Sequence, residues 1–345
     1  MIQFLRKKGV SLSIRTYVIT ALSYMALGLF ASLIVGLITE TLGKQVFVHI
    51  SPTIANALMD MGSFAMDPKI YGGAIGVAIA YGLKAPPLVL FSSLFAGAFG
   101  GELGGPVGSY ISALCAIECG KIVYKTTRID IIITPMTSII IGFIIGSLVG
   151  PPMQTFMESF GEVIQWGVMQ QPFIMGIVVA VLMGWALTAP ISSVAIALML
   201  SLDGLAAGAA TIGCAAQMVG FATISYRDNG FGGVLAQGIG TSMLQVSNIL
   251  KKPIILLPPT IAGIILAPIG TVWFKMTSNA AGAGMGTSGF VGQIMTFESM
   301  GLSFDVLWKV LVLHIIGPII ISYICIVFFR KRGWVKDGDM KIVYE

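Results

Sequence analysis

The stretch Ile129-Asp-Ile-Ile-Ile-Thr-Pro-Met-Thr-Ser-Ile-Ile-Ile-Gly-Phe-Ile-Ile-Gly-Ser-Leu-Val149 contains a single charged residue, Asp130. A helix needs about 20 mostly apolar residues to cross a bilayer, so this stretch predicts a membrane-spanning helix. Similar runs recur along the chain, which has 345 residues and is 56% hydrophobic but only 10% charged. A soluble domain cannot hide that much apolar surface from water. The sequence therefore predicts an all-α, polytopic membrane protein.

Hydropathy predicts about ten such helices within a single domain over residues 1–345. Several of the runs are short for a full crossing, which favours tilted or broken helices. The predicted spans are Thr16–Glu40, Ile70–Leu83, Pro86–Phe99, Val107–Tyr124, Ile129–Val149, Phe173–Thr188, Ile191–Thr223, Phe231–Leu250, Ile254–Phe274 and Val306–Phe329. The long run Ile191–Thr223 is one crossing, two crossings, or one crossing plus a re-entrant piece with its break at Asp203–Gly204.

Basic residues indicate the orientation, because cytoplasmic loops carry an excess of Lys and Arg. With Ile191–Thr223 counted as one crossing, both termini and nearly all basic clusters face the cytoplasm, including those at 121–128, 251–252 and 330–332. Counting two crossings would put Lys251 and Lys252 outside. The net charge of +5 is spread over short loops and chain ends. It therefore suits a bilayer surface and does not suggest nucleic acid.

Three segments are expected on the outer side, and each either lies on the surface or folds back as a re-entrant hairpin. They are Lys44–Pro68, Met153–Gln171 and Lys275–Ser303. Re-entry is favoured for the last one, because its glycines suit close packing, and an interfacial helix for Met153–Gln171. The order of glycine, proline and basic landmarks also suggests parallel internal repeats over 70–150 and 173–275. The alternative is that Gly and Pro recur in any membrane helix.

The strongest local signal is the glycine-rich run Asn279-Ala-Ala-Gly-Ala-Gly-Met-Gly-Thr-Ser-Gly289. Alternate glycines let the backbone approach a ligand, and free N–H groups beside hydroxyls can hold an anion or a sugar hydroxyl. Close helix packing through small residues is the competing explanation. The candidate solute-binding residues here are Asn279, Gly282, Gly284, Gly286, Thr287, Ser288, Gly289 and Gln293.

Other candidates are scattered polar residues, since a polar group inside a membrane is costly unless it has a function or a partner. Glu102, His49 and Asp60 are added to the solute-binding set, and Glu102 and Glu118 are candidate coupling carboxylates. Glu118 has an alternative role in a snorkelling pair with Lys121. Gln217 and His314 lie inside spans, where a histidine is more often a hydrogen-bonded packing residue.

The sequence shows no pattern for catalysis, a metal or a cofactor. Four cysteines lie within or beside apolar runs, so a disulfide framework is not expected. Cys115 and Cys119 have helical spacing, but no neighbouring His or further Cys completes a metal site. The chain thus carries no catalytic residues of its own that the sequence reveals.

The run Pro258-Pro-Thr-Ile-Ala-Gly-Ile-Ile-Leu-Ala-Pro268-Ile-Gly270-Thr, continued through Gly282–Gly289 to Gln293, resembles phosphotransferase-system IIC-like membrane proteins, among them the perfringolysin O regulator type. The resemblance extends over almost the whole chain. It implies a sugar-permease (EIIC)-like fold and a homodimer. It also implies that any phosphotransfer depends on separate IIB and IIA proteins. The sugar motif Gly-Ile-Thr-Glu-Pro is not present, because Ile38-Thr39-Glu40 is followed by Thr41.

The expected function is therefore a membrane transporter for a small polar or anionic solute, such as a sugar, across the cytoplasmic membrane. Two alternatives remain open at this point. One is ion-coupled secondary transport without phosphotransfer. The other is a membrane sensor that regulates gene expression, with the short basic C-terminal tail as its docking surface.

Overall fold

The computed structural model describes residues 2–10, 13, 16–45 and 47–342. Every regular element in those residues is helical, and an isolated bridge between Gly204 and Ser278 is the only strand-like pairing among them. Six described helices are long and apolar enough to span a membrane, and Pro172–Thr188 is a shorter apolar helix. The all-α membrane architecture is confirmed. The chain forms two compact units, Met1–Phe156 and Met157–Glu345.

The first unit begins with a short helix and a long helical stretch over residues 16–45 that contains π turns at Thr16–Ala21 and Phe30–Ile34. Its α-helices are α1 Ile2–Lys7, α2 Leu22–Leu29, α3 Val35–Gln45, α4 Pro52–Ala65, α5 Pro68–Gly82, α6 Pro87–Val123 and α7 Asp130–Val168, the last of which continues into the second unit. The segment expected as a separate interfacial piece, Met153–Gln171, is largely the end of α7.

Helix α6 is a hairpin of two antiparallel legs, residues 87–103 and 106–123. The chain reverses at Gly104 and Gly105, and Gly105 has φ +60°, which favours glycine. Across the legs, the Ser112 hydroxyl donates to the Ala96 carbonyl at 2.9 Å. The two predicted spans Pro86–Phe99 and Val107–Tyr124 are therefore the two legs of this hairpin.

Small residues let the helices of the first unit approach closely. A Cβ on Gly76 would run into the Ser93 carbonyl, and one on Gly97 would run into the Gly72 carbonyl, so α5 and the first leg of α6 pack backbone to backbone. Helix α4 folds back along α3, where a Cβ on Gly43 would lie 2.8 Å from the Ala55 carbonyl oxygen. The hydrophobic effect does not drive helix association in lipid, so close packing through small residues stabilises these helix pairs instead.

The second unit is built around a helix that is buried almost all round, α10. Its α-helices are α8 Pro172–Thr188, α9 Ser193–Met199, α10 Gly204–Ile224, α11 Tyr226–Leu235, α12 Val246–Lys251, α13 Leu257–Pro268, α14 Ala280–Ala283, α15 Val291–Met300, α16 Phe304–Val310 and α17 Gly317–Lys331. A π segment, Leu311–Ile316, joins the last two into one long helix.

Helices α8 and α10 are parallel. The Cys214 thiol lies 3.4 Å from the Met183 carbonyl, and a Cβ on Gly184 would lie 2.9 Å from Cγ of Gln217. Residues 189–203, including α9, must therefore return along the unit before α10 begins. Of the three alternatives for 191–223, the structure has the one with a break at Asp203–Gly204, where Gly204 has φ +58°.

The predicted span Phe231–Leu250 is wrong as a single helix. It consists of α11, a π turn Ala236–Gly240, a 3-10 turn Ser242–Gln245 and α12. Five glycines between 230 and 240 weaken helix formation there, and Gly230 has φ +60° within α11. This interrupted segment, residues 226–251, folds back against α10, where a Cβ on Gly238 would lie 3.5 Å from the Ala222 side chain.

Two features change the predicted crossing count in opposite directions. The parallel α8–α10 pair requires an extra return along the unit between the two helices, and the broken 226–251 segment does not make the crossing that was predicted for it. As a result, Lys252 and Arg330 still lie at one end of the second unit. Lys252 pairs with Asp339 at 2.6 Å, and Arg330 donates to the Ile224 carbonyl at 3.3 Å. The side of the membrane that this end faces remains a prediction.

Candidate functional site

The glycine-rich run packs tightly against α9 and α10. A Cβ on Gly284 would lie 2.6 Å from the Val194 Cα, and one on Gly286 would lie 2.6 Å from the Cys214 carbonyl carbon. Gly286 and Gly289 also adopt positive φ, +55° and +53°. The glycines are therefore required for close approach of the backbone, as the packing interpretation expects.

The polar side chains of this run are bonded within the unit. Asn279 caps α14 by accepting from the Gly282 N–H at 3.1 Å. The Thr287 hydroxyl faces the Met218 sulfur at 3.5 Å, and the Ser288 hydroxyl donates to the Gly240 carbonyl at 2.8 Å. These groups hold the run in place. Their role in binding solute stays a prediction.

Gln293 and His314 form a buried amide–imidazole pair. The Gln293 side-chain nitrogen lies 3.1 Å from Nδ1 of His314, and the two residues are 6% and 1% exposed. Oε1 of Gln293 has no hydrogen-bond partner. A buried acceptor without a partner costs free energy, so this oxygen requires an explanation beyond packing.

Gln217 and Thr260 form a second buried pair, between α10 and α13. The Thr260 hydroxyl accepts from the Gln217 amide at 3.0 Å and from the Trp185 indole N–H at 3.0 Å. It donates to the Leu256 carbonyl at 2.7 Å. Oε1 of Gln217 also lacks a partner, although Gln217 is only 1% exposed.

Both pairs lie along α10, and we call Gln217, Thr260, Gln293 and His314 the polar core. The Gln293–His314 pair reaches α10 through Gly292, where a Cβ would lie 2.8 Å from the Thr211 methyl group. Among the described residues of the second unit, the buried polar side chains are hydroxyls, amides and His314, with no carboxylate, ammonium or guanidinium group. The polar core thus presents neutral hydrogen-bonding groups, and its unpaired side-chain amide atoms are acceptors.

The acidic candidates lie in the first unit, at separate places. Glu102 is at the tip of the α6 hairpin and pairs with Lys69 at 3.1 Å, where both side chains are well exposed. Asp60 is exposed on α4. His49 ends a short 3-10 turn, and its side chain lies outside the described part of the chain.

Glu118 pairs with Lys121 at 2.9 Å near the end of α6. The Lys121 side chain is only 2% exposed and also donates to the Gly9 carbonyl at 3.2 Å, so it is buried and does not snorkel. The Tyr17 hydroxyl is a second hydrogen-bonding neighbour of the Glu118 carboxylate. Glu118 lies twelve residues after Pro106 on the second leg, about 18 Å along a helix, so it cannot share a site with Glu102.

The predicted site residues therefore fall into two groups. The seven candidates of the glycine-rich run and Gln293 belong to the second unit, whereas Glu102, His49, Asp60 and Glu118 belong to the first. In the described residues, no group of three or more His, Cys, Asp or Glu side chains could hold a metal ion.

The sequence analysis missed a buried row of amides, which we call the amide ladder: Asn229, Gln237, Gln245 and Asn248. Gln245 donates to Oε1 of Gln237 at 2.9 Å, and Asn248 donates to Oε1 of Gln245 at 2.8 Å. The sequence does show these amides, spaced through a glycine-rich apolar stretch. They could have predicted the amide ladder, because a polar residue in such a run needs a partner.

Comparison with known proteins gives one match. Residues 19–342 match the family model described as Phosphotransferase system, EIIC. No curated protein and no solved structure matches the chain. The match extends over almost the whole chain and includes both units. It does not distinguish the perfringolysin O regulator type.

Proposed function

Because the chain belongs to the phosphotransferase system EIIC family, as a membrane permease of the sugar transport system, we propose that its solute is a neutral sugar that binds at the polar core. The sequence alone left open a polar or an anionic solute. The polar core favours the neutral one.

The observation that carries this proposal is the pair of unpaired acceptors, Oε1 of Gln217 and Oε1 of Gln293. Carbonyl oxygens accept hydrogen bonds from sugar hydroxyls, which supply many donors. The charged group of an anion offers only acceptors and would face these oxygens without a cation, since the buried side chains of the polar core are neutral. Burying such a charge unpaired is costly.

Family membership also implies soluble IIB-type components as partners, since the phosphoryl donor lies on a separate protein. We propose that the end of the second unit bearing Lys252 and Arg330 faces the cytoplasm, because positive charge collects on that side. We also propose that the chain forms a homodimer.

Binding to the detergent-purified protein tests the proposed solute class. A panel of neutral sugars and a matched panel of sugar phosphates and organic acids would be titrated while thermal unfolding is followed. A ligand at about 100 times its Kd stabilises the folded state by about 2.7 kcal/mol, which shifts the melting temperature measurably. We expect shifts with neutral sugars only. Shifts with anions alone would overturn the proposal.

A further inference from the structure

The C-terminal tail, residues 333–342, is bound to the end of the second unit by the amide ladder. Asn229 and Gln245 both donate to the Met340 carbonyl, at 2.8 and 3.0 Å, and Asn248 donates to the Lys341 carbonyl at 3.1 Å. These bonds run from side chains to backbone carbonyls, so they hold the tail through its main chain.

The tail also fills an apolar gap. Met340 is 0% exposed and Val335 is 2% exposed. Both pack in one cluster with Phe221 and Ile224 of α10 and with buried residues of the helices around it, Ile255, Ile326 and Phe329. Gln217 lies seven residues before Ile224, about 10 Å along α10. The cluster therefore separates the polar core from this end of the unit.

The amide ladder continues from the tail towards the glycine-rich run. Gln237, which accepts from Gln245, itself donates to the Ser225 hydroxyl at 2.8 Å. It stands in the π turn that ends at Gly240, whose carbonyl accepts from Ser288. A displacement of the tail would therefore leave donors of the ladder unpaired and loosen the segment that holds Ser288.

We propose that the C-terminal tail is the movable part of a gate that closes this end of the polar core. The inference rests on the proposed function, since a gate has meaning only on a solute path. Hydrophobic constrictions close such paths by excluding water. The tail is the part suited to move, because it is not helical and six of its ten residues are exposed, whereas the helices around it are anchored along their length.

The rim of the tail is held by partly exposed charges, which suits reversible release. Lys252 and Asp339 are 30% and 25% exposed at their side chains, and such pairs hold weakly in water. Asp339 also accepts from the Lys336 N–H at 2.7 Å, so one carboxylate serves both the tail turn and the rim.

Cross-linking tests the gate directly. Lys252→Cys and Asp339→Cys would be joined by a cleavable bifunctional thiol reagent, in a chain whose four native cysteines are replaced by alanine. We expect sugar uptake into proteoliposomes to fall roughly tenfold or more, because a gate held shut closes the path at this end of the polar core. Cleaving the linker should restore uptake. Unchanged uptake after complete cross-linking would overturn the gate.

The control joins Asp305→Cys and Lys309→Cys, which replace an i,i+4 pair 2.5 Å apart on one long helix, away from the tail. This cross-link fixes no element against another, so it should leave uptake unchanged. An equal loss of uptake in the control would mean that cross-linking itself is harmful, and it would contradict a specific role for the tail.

A second readout does not depend on the solute. Gln217→Cys would be added to both cross-linking backgrounds, and its labelling by a small maleimide would be followed by mass spectrometry. Closing the tail should slow labelling at position 217, and cleavage should restore the rate. If no sugar enters even without a cross-link, the proposed function fails, while this rate still decides the gate. A labelling rate at position 217 that does not change on cross-linking overturns the gate.

Discussion

The substitution Gln217→Met separates a binding role from a packing role. Methionine keeps the length and approximate volume of glutamine but removes both amide atoms. The fold loses the hydrogen bond to Thr260, about 0.5–1.5 kcal/mol, and is relieved of the buried unpaired Oε1, about 1–3 kcal/mol. Thr260 retains the Trp185 donor and its own bond to Leu256. We therefore expect the melting temperature to stay unchanged or to rise.

Sugar binding should weaken in the same variant. The sugar hydroxyl that donates to Gln217 would be buried without an acceptor, at a cost of about 1–3 kcal/mol. With 1.4 kcal/mol per factor of ten, this raises the Kd roughly 5- to 150-fold. Isothermal titration of the purified variant measures the Kd, and thermal unfolding measures stability.

The matched control is Gln165→Met, the same change on an exposed position of α7. It should alter neither the Kd nor the melting temperature beyond experimental error. The reasoning would be refuted if Gln217→Met bound sugar with the affinity of the unmodified chain. A large loss of stability without a change in affinity would equally assign Gln217 to packing.

Three further outcomes follow from the geometry. Gly284→Ala should lower the free energy of unfolding by about 1–3 kcal/mol through overpacking. Gly232→Ala should leave it unchanged, because a Cβ there would meet open space. Thermal unfolding of both variants measures the difference. Glu118→Gln should lower the free energy of unfolding by about 3–5 kcal/mol, because it leaves a buried lysine without its charged partner. Glu102→Gln, at an exposed pair, should lower it by less than about 1 kcal/mol. Loss of solute accumulation with intact exchange in the Glu118→Gln variant would instead make Glu118 a coupling carboxylate. Burial acts to raise the pKa of Asp339, but its hydrogen bonds and nearby lysines outweigh burial and lower the pKa. The stabilisation from this carboxylate is therefore present above about pH 4, the unfolded value, and is lost as pH falls through the folded pKa. Hydrogen exchange of the tail should accelerate there, and Asp339→Asn should reduce that dependence, since Asp228 also accepts hydrogen bonds from the Gly338 and Met340 N–H groups.

Local patterns in the sequence were sufficient to predict the membrane architecture and the division of 86–124 into two spans, and they offered Asp203–Gly204 as a break in one of three alternatives. Apolar runs fix membrane helices because lipid tolerates little else. The breaks at Gly104–Gly105 and Asp203–Gly204 follow from glycines that supply positive φ at Gly105 and Gly204. Such features depend on neighbours in the chain, so they can be read without knowledge of the fold.

Helix direction in the second unit could not be read in this way. Hydropathy is the same for a helix and its reverse, and the parallel α8–α10 pair depends on long-range contacts such as Gly213 against Ala180. The broken 226–251 segment has the apolar composition of a span, yet its glycines and amides turn it back towards the tail. Two errors in the crossing count cancelled, which kept Lys252 and Arg330 at one end.

The candidate site was predictable only in part. Glycine density correctly marked a special backbone at Gly284–Gly289, but sequence could not decide between packing and binding, because that depends on Val194 and Cys214, far away in the chain. The unpaired oxygens of Gln217 and Gln293 were invisible for the same reason. The repeats over 70–150 and 173–275 stay a prediction. Gly105 and Gly230 adopt nearly the same dihedrals, φ +60° with ψ −154° and −162°.

Uptake by proteoliposomes of the purified protein tests the central claim most directly. Labelled neutral sugars and organic anions would be offered with and without an imposed ion gradient, to the unmodified chain and to Gln217→Met. The account predicts that a neutral sugar enters without a gradient, that anions do not compete with it, and that Gln217→Met slows its entry at low concentration. Entry of anions alone, or equal sugar entry through both proteins, would contradict it.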